Sequence, residues 1–337
     1  MPTMRAMQIS KPGGSFENVQ RPVPEPGSRE IRIRVEACGM CHSDVIVKGG
    51  RYPGLNLPRI PGHEVAGRID AVGSDVTGWK RGQRAGVGWY GGHCGQCPAC
   101  RRGDFLNCAA RQITGISRDG GYAEYLVAPA EAIARIPDAL EPAEAGPLLC
   151  AGLTTFNALR NSGARPGDTV GILGIGGLGH LAIQYASKLG FRTVALSHGA
   201  EKEKLARELG AHDYVDTQHV SPAEGLQRLN GAHLVLATAP HAEAIASVLD
   251  GLTPRGKLLI VAAPGEPMQI SALTLLSGKT IAGWPSGTAV DSEDTMTFSA
   301  RTGVRPRVEI FPLDQAEEAL RKMMENRLRF RAVLVPS

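Results

Sequence analysis

The chain has 337 residues, of which 42% are hydrophobic and 21% charged, and its formal net charge is +4. This length and composition are typical of a globular protein with one large or two ordinary domains. The small, mixed charge gives no indication of nucleic-acid binding. No apolar run reaches the roughly 18 residues that a membrane-spanning helix needs, so we expect neither nucleic acid nor a membrane as a partner.

The N-terminal sequence and the cysteine content both bear on the compartment. The first residues, MPTMRAMQISKPGG, lack the apolar core of a signal peptide. The cysteines number seven, an odd count that does not suit a framework of disulfides. We therefore expect a cytoplasmic protein whose cysteines serve mainly as metal ligands.

Two kinds of sequence pattern follow one another along the chain and together predict an α/β fold. Residues 1–150 are rich in Gly and Pro, and alternating runs at 31–35 and 67–72 predict strands of a twisted β domain. From about residue 166, five short apolar runs separated by helical stretches predict a doubly wound parallel sheet: PGDTVGIL, FRTVALS, HDYVD, AHLVLAT and GKLLIVA. We expect residues 287–337 to return to the first domain, which leaves 151–286 as the second.

Three segments carry residue types that could hold a catalytic metal. They are ACGMCHSD with Cys41, PGHEVAG with His63 and Glu64, and LLCAGLTTF with Cys150. Two thiolates and one imidazole would leave the fourth position of a zinc ion open for substrate. Spacing alone, however, favours a buried thiol or a hydrogen-bonded histidine for each residue taken singly.

A run of four cysteines predicts a second, structural metal site. The segment GGHCGQCPACRRGDFLNC has the pattern C-x2-C-x2-C-x7-C, and glycines and a proline suit a tight loop around an ion. Four thiolates form a closed tetrahedral zinc site. The ligands predicted are Cys94, Cys97, Cys100 and Cys108.

The segment TVGILGIGGLGHLAIQYASKL predicts a dinucleotide-binding loop. Gly174, Gly176 and Gly179 form G-x-G-x-x-G between an apolar strand and an amphipathic helix. In this motif the glycines permit a tight turn, close approach to a pyrophosphate and close packing of helix on strand. We also expect Gly177 and Leu178, within the same loop, to contact the cofactor.

The end of the following strand favours NADP over NAD. An NAD-binding chain usually has an acid there for the ribose hydroxyls, whereas this chain has Ser197, followed by His198. With Lys202, these residues could bind a 2′-phosphate. Glu201 and Glu203 leave open that they are only solvated surface residues, so NAD remains the alternative.

Five motifs, in the same order, resemble those of the zinc-dependent alcohol dehydrogenases of the medium-chain dehydrogenase/reductase superfamily. They are ACGMCHSD, PGHEVAG, the four-cysteine run, CAGLTTF and GIGGLGHLA. The resemblance implies a GroES-like β domain and a Rossmann domain. It also implies two zinc ions per chain, a homodimer or homotetramer, and reversible hydride transfer between NAD(P) and a primary aliphatic or aromatic alcohol or aldehyde.

The resemblance also implies roles for single residues. Cys41, His63 and Cys150 would hold the catalytic zinc, and Glu64 could approach it. The remaining implied roles are proton acceptance by Ser43, orientation of the histidine ligand by Asp44, contact with the cofactor pyrophosphate by His42 and Arg331, and lining of the substrate pocket by Tyr52 and Trp89. Core packing is the alternative for the two aromatic residues, and Cys38 is interpreted as a plain buried thiol.

Ile46 departs from the pattern of the family, and Cys150 limits the activities that the family resemblance allows. Many relatives have a proton-relay histidine five residues after the first ligand, where this chain has Ile46. Polyol dehydrogenases usually have glutamate where this chain has Cys150, which argues against that activity. Zinc-free quinone reductases are excluded if the three ligands bind metal.

A non-catalytic NADPH-binding or zinc-storage protein is the alternative from another functional class. Trp284 could lie near the nicotinamide or at the domain junction.

Overall fold

The structure, a computed structural model, describes residues 1–262 and 264–336. Its strands are β1 Thr3–Gln8, β2 Glu17–Pro22, β3 Glu30–Gly39, β4 Glu64–Val72, β5 Arg84–Val87, β6 Tyr90–Gly92, β7 Gln112–Ile113, β8 Tyr125–Pro129, β9 Ile133–Arg135, β10 Thr169–Leu173, β11 Arg192–Ser197, β12 Asp213–Asp216, β13 Ala232–Ala237, β14 Leu252–Ile260, β15 Thr280–Gly283, β16 Val308–Pro312 and β17 Arg331–Val335.

The α-helices are α1 His42–Lys48, α2 Pro98–Arg101, α3 Pro142–Pro147, α4 Leu153–Arg160, α5 Gly179–Lys188, α6 Glu203–Glu208, α7 Pro222–Gln227, α8 Ala242–Ser247, α9 Ala272–Leu275, α10 Ala289–Thr302 and α11 Ala316–Met324. A π-helical turn, Leu148–Gly152, joins α3 to α4. Short 3-10 turns lie at Phe105–Asn107, Ala130–Ala132, Ala200–Lys202, Leu249–Gly251 and Leu313–Gln315. Among the described residues, none of the helices has the length and apolar character needed to cross a bilayer.

The chain divides into two compact units, Met1–Leu153 with Gly287–Ser337 (unit 1) and Thr154–Ser286 (unit 2). Unit 1 contains a mixed sheet in the order β16-β17-β3-β4-β5-β9, with β8 also paired to β3. The strands predicted at 31–35 and 67–72 are confirmed as parts of β3 and β4. Ile31, Ile33 and Val35 are buried on alternate positions of β3, as a strand with one face on the core requires.

The C-terminal segment belongs to the sheet of unit 1. β17 runs antiparallel to β3, with Leu334 opposite Cys38 and Val333 opposite Gly39, so the C-terminal strand lies beside the end of β3. Helix α11 precedes β17, and its buried residues follow one helical face: Ala316, Ala319, Leu320 and Met323.

Unit 2 is a parallel sheet in the order β12-β11-β10-β13-β14-β15. The five apolar runs predicted as strands are confirmed as β10 to β14. Every residue of β10 is buried, as expected for a strand covered on both faces. This strand order is that of a doubly wound dinucleotide-binding sheet, whose ligand sites lie beyond the carboxyl ends of the strands.

Candidate active site and metal centres

Three separate elements of unit 1 converge on one cluster of side chains that could hold a metal ion. Cys41 directly precedes α1, His63 and Glu64 lie at the start of β4, and Cys150 lies in the π-helical turn. Such turns are rare and occur often at functional sites. The ligand atoms of these four residues all lie within 4.8 Å of one another, so the structure brings together the predicted catalytic ligands.

The geometry of the cluster fits a zinc ion. Two thiolates on one tetrahedral zinc, each at about 2.3 Å, lie about 3.8 Å apart, and Sγ of Cys41 lies 3.9 Å from Sγ of Cys150. That distance is far too long for a disulfide bond. Nε2 of His63 is buried and has no hydrogen-bond partner among the described residues, although buried polar atoms are normally paired. A metal ion would satisfy this nitrogen.

Charges around the cluster are arranged to favour a thiolate. The pKa of Cys41 is lowered well below its ordinary value, chiefly by a hydrogen bond from Cys150 and further by the neighbouring His63. The same hydrogen bond raises the pKa of Cys150, so without a metal ion the thiolate is favoured at Cys41. Burial raises the pKa of Glu64, which Arg331 opposes. Nη2 of Arg331 donates to Oε1 of Glu64, and both side chains are almost entirely buried, with exposures of 5% and 0%. The structure therefore places Arg331 against the metal-binding cluster.

Asp44 lies beside His63, at the position where the resemblance implies a carboxylate that orients the histidine. Its Oδ1 is 3.5 Å from Nδ1 of His63, and its Oδ2 accepts hydrogen bonds from the backbone amide of Cys41 and from the hydroxyl of Tyr122. Burial and the nearby Asp44 raise the pKa of Tyr122 well above its ordinary value, so its phenol stays a proton donor. Tyr122 is not among the residues predicted from the sequence, because no local spacing relates it to Asp44, 78 positions away.

The first turn of α1 carries the other candidate residues of this segment. The hydroxyl of Ser43 lies 3.7 Å from Sγ of Cys41 and is half-buried. His42, the first residue of the helix, is exposed. Ile46, at the position of the missing relay histidine, is 41% exposed. Ser43 is therefore the hydroxyl next to the ligand set, and no second relay group follows it at residue 46.

Aromatic rings cover one side of the ligand set. The ring of Trp89 contacts that of His63 edge to face, with centroids 4.9 Å apart, and Tyr52 packs on Trp89 at 5.9 Å. Both rings are partly buried against a small apolar cluster of Val47, Ile113 and Ile116. Of the two predicted pocket residues, Trp89 thus lies beside a candidate ligand and Tyr52 lies behind Trp89, and neither belongs to the main core of the unit.

The four remaining predicted ligands form a separate cluster around α2. All four Sγ atoms lie within 4.8 Å of one another, and two pairs are 3.5 Å apart: Cys97 with Cys100, and Cys94 with Cys108. These distances are near the tetrahedral edge given above and exclude disulfides. Backbone amides, that of Cys100 foremost, lower the pKa of Cys97 to about 6, which favours the thiolate that a metal binds. Cys38 is not in either cluster; it is fully buried, and its Sγ faces the carbonyl of Gly39.

The glycine-rich loop of unit 2 follows β10 and ends at α5. Gly174 has φ +95°, which only glycine adopts freely, and a Cβ on Gly179 would stand 2.0 Å from the carbonyl oxygen of Gly174. Around Gly176, by contrast, no atom of residues 1–262 or 264–336, apart from the glycine and its two chain neighbours, lies within 4 Å of such a Cβ. Gly174 therefore permits the tight turn, Gly176 leaves the backbone open to a ligand, and Gly179 allows the helix to pack closely on the strand, as the motif requires. Gly177 and Leu178 complete the loop, and Leu178 is the N-cap of α5.

The end of β11 carries Ser197, which is buried, and His198, which is exposed, while Lys202 ends the next 3-10 turn and is half-buried. The structure adds an acid from the neighbouring strand, because Ser197 pairs in register with Asp216. Oδ1 of Asp216 accepts hydrogen bonds from the backbone amides of Gln218 and Gly199, which lower its pKa. Asp216 is not among the cofactor residues predicted from the sequence, although it ends the next predicted strand, HDYVD.

Known proteins resemble the chain over nearly its whole length. Residues 27–138 match the alcohol dehydrogenase GroES-like domain, and 177–301 match the zinc-binding dehydrogenase domain. Alcohol dehydrogenase patD of Penicillium expansum is 48% identical, covering 92% of this chain and 91% of its own. An alcohol dehydrogenase of Geobacillus stearothermophilus is 39% identical, covering 95% and 94%.

Two solved structures have the same fold. An NAD-dependent alcohol dehydrogenase is 31% identical with a TM-score of 0.92, covering 99% of this chain and 100% of its own. A structure from Sinorhizobium meliloti 1021, described as a zinc-binding dehydrogenase bound to NADP, is 26% identical with a TM-score of 0.89 and covers all of both chains. With the domain matches and the relatives above, they establish that this chain belongs to the zinc-dependent alcohol dehydrogenases of the medium-chain dehydrogenase/reductase superfamily.

Proposed function

We propose that the protein binds two zinc ions and interconverts primary alcohols and aldehydes, with NADP as the preferred hydride carrier. The observation that carries the catalytic part is the convergence of Cys41, His63, Glu64 and Cys150 within 4.8 Å, around an imidazole nitrogen that lacks a partner. The second zinc would have a structural role at the four-cysteine cluster. In domain terms, residues 1–150 and 287–337 would carry both zinc sites, and 151–286 the dinucleotide.

Different side chains of unit 1 would bind the zinc ion, accept the proton and orient the histidine ligand. Zinc bound by Cys41, His63 and Cys150 would supply a Lewis acid that lowers the pKa of an alcohol and polarises an aldehyde carbonyl. Ser43 would take the proton of the alcohol hydroxyl, as its position beside Cys41 supports. Because Ile46 replaces the relay histidine and is exposed, the proton would leave by the cofactor ribose and water. Asp44 would hold His63 in the tautomer that binds metal.

The aromatic residues beside His63 support a preference for primary alcohols. Trp89 and Tyr52 form an edge-to-face pair that limits the width next to the ligand set. A narrow slot accepts an unbranched aliphatic chain or a flat aromatic ring more readily than a branched carbinol. We therefore propose unbranched aliphatic or planar aromatic primary alcohols as substrates.

The cofactor would bind at the carboxyl end of the sheet of unit 2. The open surroundings of Gly176 suit a pyrophosphate at the N-terminus of α5, and we propose that Gly177, Leu178, His42 and Arg331 also contact it. NADP is proposed because Ser197 leaves space that an acid would deny to a 2′-phosphate, with His198 and Lys202 as cationic partners. Asp216 opposes this in part, but its charge is already engaged by two backbone amides.

Two broader properties complete the proposal. We infer a homodimer or homotetramer, which light scattering of the purified protein would test. We also infer a cytoplasmic location, since both cysteine clusters hold thiols at distances that suit metal binding rather than disulfides.

A substrate panel with NADP and NAD, run in both directions, tests the proposed activity. Benzyl alcohol and 1-butanol should be oxidised with higher kcat/KM than 2-butanol or sorbitol. Trp89→Ala should narrow the gap between 1-butanol and 2-butanol, whereas Trp79→Ala should not, since Trp79 stacks on Arg135. Faster oxidation of sorbitol than of 1-butanol would contradict the proposed substrate class.

A further inference from the structure

A short backbone segment is attached to the residues that immediately precede His63. The amides of residues 120–122 donate to the carbonyls of Ile60, Pro61 and Gly62 over 2.7–3.0 Å. The position of His63 is therefore tied to a part of the chain that carries no metal-binding residue itself.

The side chain of Tyr122 is locked against the same segment. It is fully buried, and a Cβ on Gly62 would stand 2.4 Å from its ring, at a φ of +97°. Phe16 packs edge to face on the other side, with ring centroids 5.8 Å apart. Packing therefore allows the ring of Tyr122 a single position, which fixes the direction of its hydroxyl.

The hydroxyl of Tyr122 donates to Oδ2 of Asp44 over 2.8 Å. The same oxygen accepts the backbone amide of Cys41 over 2.9 Å. The other oxygen, Oδ1, has no hydrogen-bond partner in the structure and lies 3.5 Å from Nδ1 of His63. Two donors therefore hold one carboxylate oxygen and leave the other to face the imidazole.

We propose that Tyr122 is a positioning residue of the catalytic zinc site, which acts through Asp44 on His63. A metal-bound imidazole usually donates its second N–H to a carboxylate, which fixes the orientation of the ring. With Oδ2 of Asp44 held, rotation of the carboxylate away from His63 would break two hydrogen bonds. The proposal rests on the role of His63 as a zinc ligand, as stated under the proposed function.

Tyr122→Phe tests the proposal, because it removes the hydroxyl and keeps the ring. The readout is the rate at which the zinc-loaded protein transfers each zinc to the chromophoric chelator 4-(2-pyridylazo)resorcinol. Changes in such outer partners typically cost about 10- to 100-fold in metal affinity or activity. We expect release of one zinc to be about 10-fold faster in Tyr122→Phe, and release of the other to be unchanged. His63→Ala, which should lack the catalytic zinc, identifies the two phases.

Tyr125→Phe is the matched control. Tyr125 lies three residues further on β8, where its ring faces Arg32, and the variant should release both zinc ions at wild-type rates. A second test uses Asp44→Asn: because Tyr122 acts through Asp44, adding Tyr122→Phe to Asp44→Asn should not accelerate release further.

Three results would overturn the positioning role of Tyr122. They are wild-type release rates in Tyr122→Phe, equal acceleration of both phases, and additive effects of Tyr122→Phe and Asp44→Asn. If His63→Ala instead retained both zinc ions, the ligand assignment under the proposed function would fail, independently of Tyr122.

Discussion

The buried pair of Glu64 and Arg331 should make a large contribution to the stability of unit 1. Arg331→Met keeps most of the side-chain volume and removes the charge that faces the buried carboxylate. Removal of one partner from a buried ion pair typically costs about 3–5 kcal/mol, because the other charge stays buried without compensation. Both side chains are almost fully buried, and Arg331 also faces Cys41 and Cys150, so we expect a loss within this range.

The assay is urea unfolding of the zinc-loaded protein, followed by tryptophan fluorescence. In a Trp284→Phe background the remaining tryptophans, Trp79 and Trp89, both lie in unit 1. For a folded unit of roughly 150–250 residues, 1 kcal/mol lowers the Tm by about 2–4 °C. In a thermal melt followed by the same fluorescence, the expected loss therefore corresponds to a fall in Tm of about 6–20 °C.

A double variant and a surface control separate charge from packing. Glu64→Gln combined with Arg331→Met leaves only a neutral amide without its partner, which costs about 1–3 kcal/mol, so the double variant should be more stable than Arg331→Met alone. Arg321→Met removes the ion pairs that Arg321 of α11, which is 50% exposed, forms with Glu318 and Glu325, and should cost much less stability than Arg331→Met because water screens exposed charges. If the double variant were as unstable as the single one, the cost would come from packing and the ion-pair argument would be refuted.

Three further changes test the sites. Ser43→Ala should lower kcat about 100-fold or more, the usual contribution of a positioned proton acceptor; an unchanged steady-state rate would mean that water takes the proton. Cys100→Ser should lower the zinc content, measured by elemental analysis, from about two to about one per chain and reduce thermal stability, because it opens a closed site; two retained zinc ions would contradict the assignment. Wild type should prefer NADP by roughly 10- to 100-fold in kcat/KM, since a charge-assisted hydrogen bond contributes about 1.5–3 kcal/mol. Ser197→Asp should reverse that preference, and a wild type that prefers NAD would refute the role of Ser197.

Features whose geometry is confined to a few neighbouring residues could be predicted from the sequence. The glycine loop is one, because a positive φ at Gly174 and close packing at Gly179 depend on a single turn between strand and helix. The four-cysteine cluster is another, since its ligands all come from one stretch of the chain. The five apolar runs of unit 2 likewise predicted their strands, since a strand buried on both faces needs a continuous apolar sequence.

The catalytic ligands could be named only through the resemblance. Cys41, His63 and Cys150 lie far apart in sequence, and each alone favoured a plainer interpretation. Their convergence depends on the pairing of β3 with β4 and on the π-helical turn that carries Cys150.

Only the tertiary structure decided which distant side chains share a buried environment. Arg331 reaches Glu64, 267 residues away, because β17 pairs with β3 and β3 with β4. Tyr122 reaches Asp44, and Asp216 comes beside Ser197, by the same kind of strand and loop pairing. The sequence by itself determined the family, the dinucleotide loop and the types of metal ligand. Sheet register determined which side chains orient those ligands and shift their pKa values. The reason is that a buried polar group forms its hydrogen bond with a partner that the packed strands bring within reach.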